Sequence, residues 1–336
     1  GGLVSLAAVQ VLSSGVALVL SYIVAMQFYP SLKIHPKFIS KIRFREMFGF
    51  SMWSFLSSTG SKLLHNTDLV VIGALVVADG HKGPWWVVYY ALPGLLVTYS
   101  RELLSHVANV LAPRAVQLCG ASNKLALREM LRWGGKFTMV IALPYYAGLA
   151  LFGPRFLHLF YDNVFHGENE KMITVSQHVL WILIIPQITL MAIRPGAAIV
   201  NGLGHVRFGA LLTLGQGVIN LVLSIMLVGS FNMGLEGVAW GTLVPMVICN
   251  AFLCLFILEK IQYRKRRYFR ENALPFLSAT GAMLVLMALS AWANLGQFAY
   301  LFNGVNSTTL ATNSNLHWLA LFIEGTVFML VALPVS

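Results

Sequence analysis

Three cations stand inside otherwise apolar stretches of this chain: Lys62, Arg101 and Arg194. A charged side chain at the centre of a membrane-spanning helix costs about 2.5–3.5 kcal/mol on an insertion scale, so such residues face a bundle interior or a wet cavity. His65 and Asp68 follow Lys62 at steps of three, and Glu102 and His106 follow Arg101. Steps of three bring Lys62, His65 and Asp68 toward one helical stripe, which Ser58 and Ser61 extend. Cations in excess of acids suit an anionic cargo, Arg as a bidentate fork for phosphate oxygens and Lys as a point charge. A structural reading competes. In it, Lys62 pairs with Asp68 or Glu102, and His65 and His106 are neutral hydrogen-bonded core groups. Arg101 and Glu102 are adjacent, so they are expected to point to different sides and to find partners elsewhere. Arg194 precedes Pro195 and Gly196, where a loosened helix lets a long side chain snorkel.

The elements that hold these residues are apolar helices. Hydrophobic residues make up 57% of the 336 and charged residues only 10%, with a mean hydropathy of +0.74. A soluble domain carries about 25% charged residues, so this chain lacks the means to cover a water-facing surface. A span needs roughly 20 apolar residues, and nine stretches qualify: about 3–28, 48–77, 85–112, 134–153, 173–200, 206–230, 235–258, 274–295 and 317–335. Of the 23 Lys and Arg, 17 fall in alternate loops, three in the others and three inside spans. By the positive-inside rule the first helix starts outside and the C-terminus is cytoplasmic, in a plasma (inner) membrane. Splitting the long second span would put the remaining basic loops on the wrong side, so it reads as one tilted or bent helix.

The same pattern excludes several classes. The net charge of +11 belongs to loops flanking spans, so nucleic acid is not the expected partner. Cys119, Cys249 and Cys254 form no metal spacing and no disulfide framework. There is no Gly-x-x-x-x-Gly-Lys-Ser/Thr run, no His-x-x-x-His zinc helix and no Gly-x-Ser-x-Gly elbow. Neither an enzyme nor a cofactor is expected. The chain begins Gly1-Gly2-Leu3 without Met and reads as part of a longer protein. Residues 30–46 mix Phe38, Ile39, Ile42 and Phe44 with five cations. They read as a cytoplasmic linker with the makings of an interfacial helix on lipid phosphates. Residues 296–316, uncharged and rich in Asn, Ser and Thr, suit an external loop, with a glycosylation sequon at Asn306. Trp85, Trp86, Tyr89 and Tyr90 suit interface anchors or sugar-stacking platforms. Pro93, Pro144, Pro186, Pro195 and Pro245 inside spans suit packing bends or hinges. Glu324 falls in the last span.

Two groups of segments carry a family resemblance. One is Asn66-Thr67-Asp68 through Gly73, followed by Tyr89-Tyr90-Ala91-Leu92-Pro93 and Pro113. The other is Asn201-Gly202-Leu203-Gly204-His205, then Gly217 through Asn220-Leu221-Val222-Leu223-Ser224, then Gly234 through Gly237-Val238-Ala239-Trp240-Gly241-Thr242. In order, over about residues 45–260, they resemble the C-terminal half of polysaccharide exporters (O-antigen-type oligosaccharide flippases). These belong to the multidrug, oligosaccharidyl-lipid and polysaccharide exporter superfamily. The resemblance implies an all-α polytopic fold of two lobes. Residues 1–29 would be the last helix of the N-terminal lobe, 30–46 the linker, 47–259 the six-helix C-terminal lobe and 260–336 two peripheral helices. It implies alternating-access flipping of a polyprenyl-pyrophosphate-linked oligosaccharide, with Lys62, Arg101 and Arg194 as cavity cations and His65, Asp68, Glu102 and His106 as possible polar lining. Membrane lipids and glycan-assembly enzymes are the implied partners. A peptidoglycan lipid-precursor flippase and a multidrug or cation antiporter share the fold. A membrane-embedded glycosyltransferase or polymerase is a reading from another class, and would want more acids and a large external loop.

Overall fold

In the computed structural model, residues 2–28, 40–78, 81–82, 85–165, 170–272 and 281 are described. The spans expected at 274–295 and 317–335, the loop 296–316 with Asn306, Glu324, most of the linker and the Trp85 side chain lie outside them. The chain divides into two compact units, Gly1–Ser51 and Met52–Ser336.

The first unit holds α1 (Gly2–Phe28) and the start of α2 (Lys41–Leu75). Helix α1 has no charged residue and no polar face, so its described side chains, from Val9 to Phe28, stay largely exposed. A helix apolar all round suits lipid on every side. Its serines return their protons to their own helix, Ser14 to Gln10 at 2.8 Å and Ser21 to Ala17 at 2.7 Å, which satisfies hydroxyls where no water is at hand. Residues 41–46, expected as linker, form the first turns of α2 instead. Phe44 and Phe48, four apart, stack at 6.0 Å, a spacing that favours helix.

The second unit continues α2 and adds a hairpin of β1 (Val77–Ala78) and β2 (His81–Lys82). Then follow α3 (Trp85–Asn109), α4 (Ala112–Gly120), α5 (Lys124–Phe165), α6 (Glu170–Gly202), α7 (Val206–Gly229) and α8 (Gly234–Lys260). Among the described residues, five stretches are long and apolar enough to cross a membrane: Ala8–Phe28, Lys124–Tyr161, Lys171–Gly202, Val206–Gly229 and Gly234–Lys260. The fold is that of an all-α polytopic membrane protein. Helices α2 and α3 have the length, at 35 and 25 residues, but carry Lys62, Asp68, Arg101 and Glu102. The basic loop expected between the third and fourth spans is largely helical. Pro113 starts α4, where its missing N–H costs nothing, and Ala115, Leu118 and Cys119 bury one face. Asn123 Oδ1 caps α5 by accepting from the Ala126 N–H at 3.1 Å. That start makes α5 42 residues long, far more than the 134–153 span requires.

Two crossings use glycine. A Cβ on Gly217 of α7 would stand 2.7 Å from the Gly60 carbonyl oxygen of α2, and one on Gly241 of α8 would stand 3.0 Å from the Ser224 Cα of α7. Small residues of this kind let helix backbones approach closely. One buried cluster, including Tyr90, Tyr146, Tyr161 and Leu180, joins α3, α5, α6 and α8. A second, including Leu118, Leu131, Ile257 and Tyr268, closes the basic end.

At that end the helical segment 265–272 is tied to α5. Arg128 Nε donates to the Ile261 carbonyl at 3.0 Å, Tyr263 Oη to Glu271 at 2.6 Å and Arg267 Nε to Glu271 at 2.7 Å, while Arg132 stands 3.6 Å from the same carboxylate. The Arg267 hydrogen bond, then that from Tyr263, hold the Glu271 carboxyl down to about 2 from an ordinary 4.5. A depressed carboxyl contributes stability above its unfolded value and loses it as pH falls toward its folded one. The protection factors of the Tyr268–Asn272 amides, with the intrinsic pH dependence of exchange divided out, are therefore expected to be flat above pH 5 and to fall between about pH 4.5 and 2. Glu271→Gln should have low protection factors at every pH.

Candidate functional site

A buried polar node centres on Asp68, 4% exposed on α2. Tyr90 Oη of α3 donates to its Oδ2 at 2.7 Å, Thr242 Oγ1 of α8 to the same oxygen at 2.9 Å and Asn220 Nδ2 of α7 to Oδ1 at 3.0 Å. Asn220 Nδ2 also reaches the Leu64 carbonyl at 3.1 Å, and Asn220 Oδ1 accepts from Ser224 at 3.2 Å. Four helices thus meet at one carboxylate. The glycine crossings explain how: Gly60 and Gly217 bring α7 onto α2 one turn from Asn220, and Gly241 brings α8 onto α7 beside Thr242. Hydrogen bonds to an ionised group contribute about 1.5–3 kcal/mol each, which offsets the cost of burying the charge.

The node is rich in acceptors. The Thr242 hydroxyl has one proton, yet the Asp68 carboxylate lies at 2.9 Å, Asn220 Oδ1 at 3.2 Å and the Val238 carbonyl at 3.3 Å. When that proton goes to Asp68, the hydroxyl lone pairs face two more oxygens. Such a concentration of acceptors favours positive charge at the node. The structural pairing of Lys62 with Asp68 is not what the structure shows. Each step of three residues falls about 60° short of a full turn, so the stripe fans out from an exposed Lys62 through a half-buried His65 to a buried Asp68.

The second polar group centres on Arg101 of α3. Its guanidinium donates to Glu102 at 3.1 Å, with side-chain exposures of 16% and 57%. This corrects the expectation that neighbours in sequence point apart: both side chains are long enough to bend together. His65 of α2, Tyr146 of α5 and Arg194 of α6 stand within electrostatic reach of Arg101, and His65 and Arg194 within that of Glu102. Arg101 and Arg194 each stand eight residues, about 12 Å, before the end of their helix. Among the described residues, Tyr146 Oη and His65 Nδ1 are buried without a hydrogen-bond partner. Lys62 and His106, both exposed, are not brought into this group.

Residues 1–167 match the family described as polysaccharide biosynthesis protein. No curated protein matches the sequence. Among solved structures, the chain is similar to one described as lipid II flippase MurJ in an inward closed conformation. The two share 13% identity and a TM-score of 0.57, over 88% of this chain and 55% of that one. A structure described as a MOP superfamily transporter from Pyrococcus furiosus aligns at 16% identity and a TM-score of 0.49, over 84% of this chain and 61% of that one. The MurJ likeness shows the fold. The chain spans between half and two thirds of the length of either structure.

Tyr146, Asn220 and Thr242 escaped sequence reading as site residues, and Tyr90 reads from the sequence as an interface anchor or sugar-stacking platform, not as a partner of Asp68. A signal existed for all but Tyr146. Asp68, Tyr90, Asn220 with Ser224, and Thr242 come one by one from the four segments Asn66–Gly73, Tyr89–Pro93, Gly217–Ser224 and Gly234–Thr242 that carry the family resemblance.

Proposed function

We propose that this chain is the C-terminal portion of an inner-membrane flippase that moves a polyprenyl-pyrophosphate-linked oligosaccharide by alternating access, with its C-terminus in the cytoplasm. The observation that carries the reading is the Arg101 group: Arg101 of α3 is paired with Glu102, which is itself largely exposed, Arg194 of α6 stands within electrostatic reach of both, and the buried Tyr146 hydroxyl has no hydrogen-bond partner. That leaves surplus positive charge and a spare donor inside an apolar bundle, where an anion is held strongly. Pyrophosphate oxygens would take Arg101 and Arg194 by bidentate bonds and Tyr146 by its hydroxyl. The lipid tail stays in the membrane while the lobes rock. Lys62, exposed on α2, enters only as a charge at the lobe's surface. Asp68 supplies the coupling, taking up one positive charge, a proton or a monovalent cation, in one orientation and releasing it in the other.

A peptidoglycan precursor has the same pyrophosphate, so it would use the same residues, and only the glycan separates the two cargoes. A multidrug or cation antiporter would want buried acids in excess of cations, the reverse of the Arg101 group. In the full-length protein, Arg101→Ala and Arg194→Ala are each expected to cut glycan export at least tenfold, since truncating one partner of a buried charge contact costs about 2 kcal/mol or more. Membrane insertion should be unchanged. Normal export by both variants would remove the phosphate assignment.

A further inference from the structure

Away from both polar groups, a cavity of about 490 Å³ opens between α5, α6, α8 and the segment 265–272. Its volume is in the range of small-molecule sites. Its wall is apolar, built from Met139, Leu143, Val247 and Ala251, and Phe269 stands on its rim, 48% exposed. One cation reaches it, Lys136. Four residues along α5 lie Arg132 and Lys136 with Trp133 between them: the guanidinium of Arg132 sits 5.4 Å and the ammonium of Lys136 5.3 Å from the centre of the Trp133 ring. Trp133 is 61% exposed. A tryptophan flanked by cations marks the boundary between hydrocarbon and headgroups, and Lys136 stands just inside it, where its stem reaches back to the surface. Arg264, Lys265, Arg266, Arg267 and Arg270, all exposed, lie in the same stretch of chain as the lining residues Tyr268, Phe269 and Asn272.

We infer that this groove holds one anionic phospholipid of the cytoplasmic leaflet, an acyl chain against Met139 and Ala251 and the phosphate on Lys136. Charge complementarity selects the occupant. The pocket is apolar in depth and positive only at its mouth, which fits a molecule with one negative end and a hydrocarbon body. The lipid is a resident of the fold and distinct from the cargo, because the groove takes nothing from Arg101, Arg194 or Tyr146.

The test uses the intact protein in detergent, equilibrated with phosphatidylglycerol or phosphatidylcholine of identical chains and measured by native mass spectrometry. The wild type is expected to retain one phosphatidylglycerol with at least a tenfold preference. Lys136→Glu reverses the charge at the headgroup and is expected to lower that occupancy tenfold or more. Ala251→Trp fills the groove and should abolish retention of either lipid; Lys136→Gln, with no added bulk, should lose the preference alone. Equal retention of both lipids by the wild type, or retention unchanged in Lys136→Glu and Ala251→Trp, overturns the assignment. So does a wild type free of lipid whose groove proves, by cross-linking, to be filled by another part of the chain. None of these outcomes bears on export through Arg101, so the two proposals fail separately.

Discussion

Asp68→Asn in the full-length protein is expected to lower transport about a hundredfold, roughly 2.7 kcal/mol at 1.4 kcal/mol per decade, while leaving a folded protein in the membrane. The substitution keeps shape and volume. It removes the negative charge and turns one of two acceptors into a donor. Tyr90 and Thr242 both donate to Oδ2, and Asn220 donates to Oδ1, so the new amide can turn its oxygen toward the hydroxyls and lose only the Asn220 bond. The lost bond to an ionised group, worth about 1.5–3 kcal/mol, is offset by removal of the cost of burying a charge, so stability should fall little. What is lost is the capacity to take up a positive charge. Tyr90→Phe supplies the contrast: one donor goes, the carboxylate stays, and transport should fall less than tenfold. Transport by Asp68→Asn at the wild-type rate, with the same dependence on ion gradients, would sink the coupling role.

Gly217→Leu should destabilise the lobe by about 3 kcal/mol or more, measured as loss of folded protein on heating in detergent. Its Cβ would stand 2.7 Å from the Gly60 carbonyl oxygen and 3.0 Å from Leu63 Cβ. Neither neighbour has a flexible end to move aside, so α2 and α7 must part. Overpacking alone costs about 1–3 kcal/mol, and separation also pulls Asn220 from Asp68 and Leu64. Gly215, two residues earlier, has nothing within 4 Å of its Cβ position. Gly215→Ala should therefore be neutral or slightly stabilising, since Gly costs a helix roughly 1 kcal/mol against Ala. Equal effects at the two glycines would refute the crossing as the cause.

Helices were the legible part of the sequence, because a chain with this little charge can hide its backbone polar groups in a membrane only by helix formation. Helix α4 was illegible for the opposite reason. It is nine residues long in a basic stretch, and its three buried residues mean nothing until α6 is there to cover them. The Asp68 node was half legible. Each of its segments stood out, but the contacts join residues 22 to 174 apart, and no local period links them. Arg101 with Glu102 shows the reverse failure: adjacency argued against a contact that flexible side chains make anyway. Tyr146 gave no signal at all, since a buried tyrosine in an apolar span reads as packing until its hydroxyl is seen to lack a partner.

The depth of the Asp68 carboxylate has an electrical consequence. On the proposed coupling, the lobe turns neutral when loaded with cation and carries a bare negative charge when it resets. A unit charge crossing the full field exchanges about 2.3 kcal/mol per 100 mV with it, and even a fraction of that path is several-fold in rate. The resetting half of the cycle would then run at a speed dictated by the energised state of the cell, and depolarisation would alter export even where cargo is abundant.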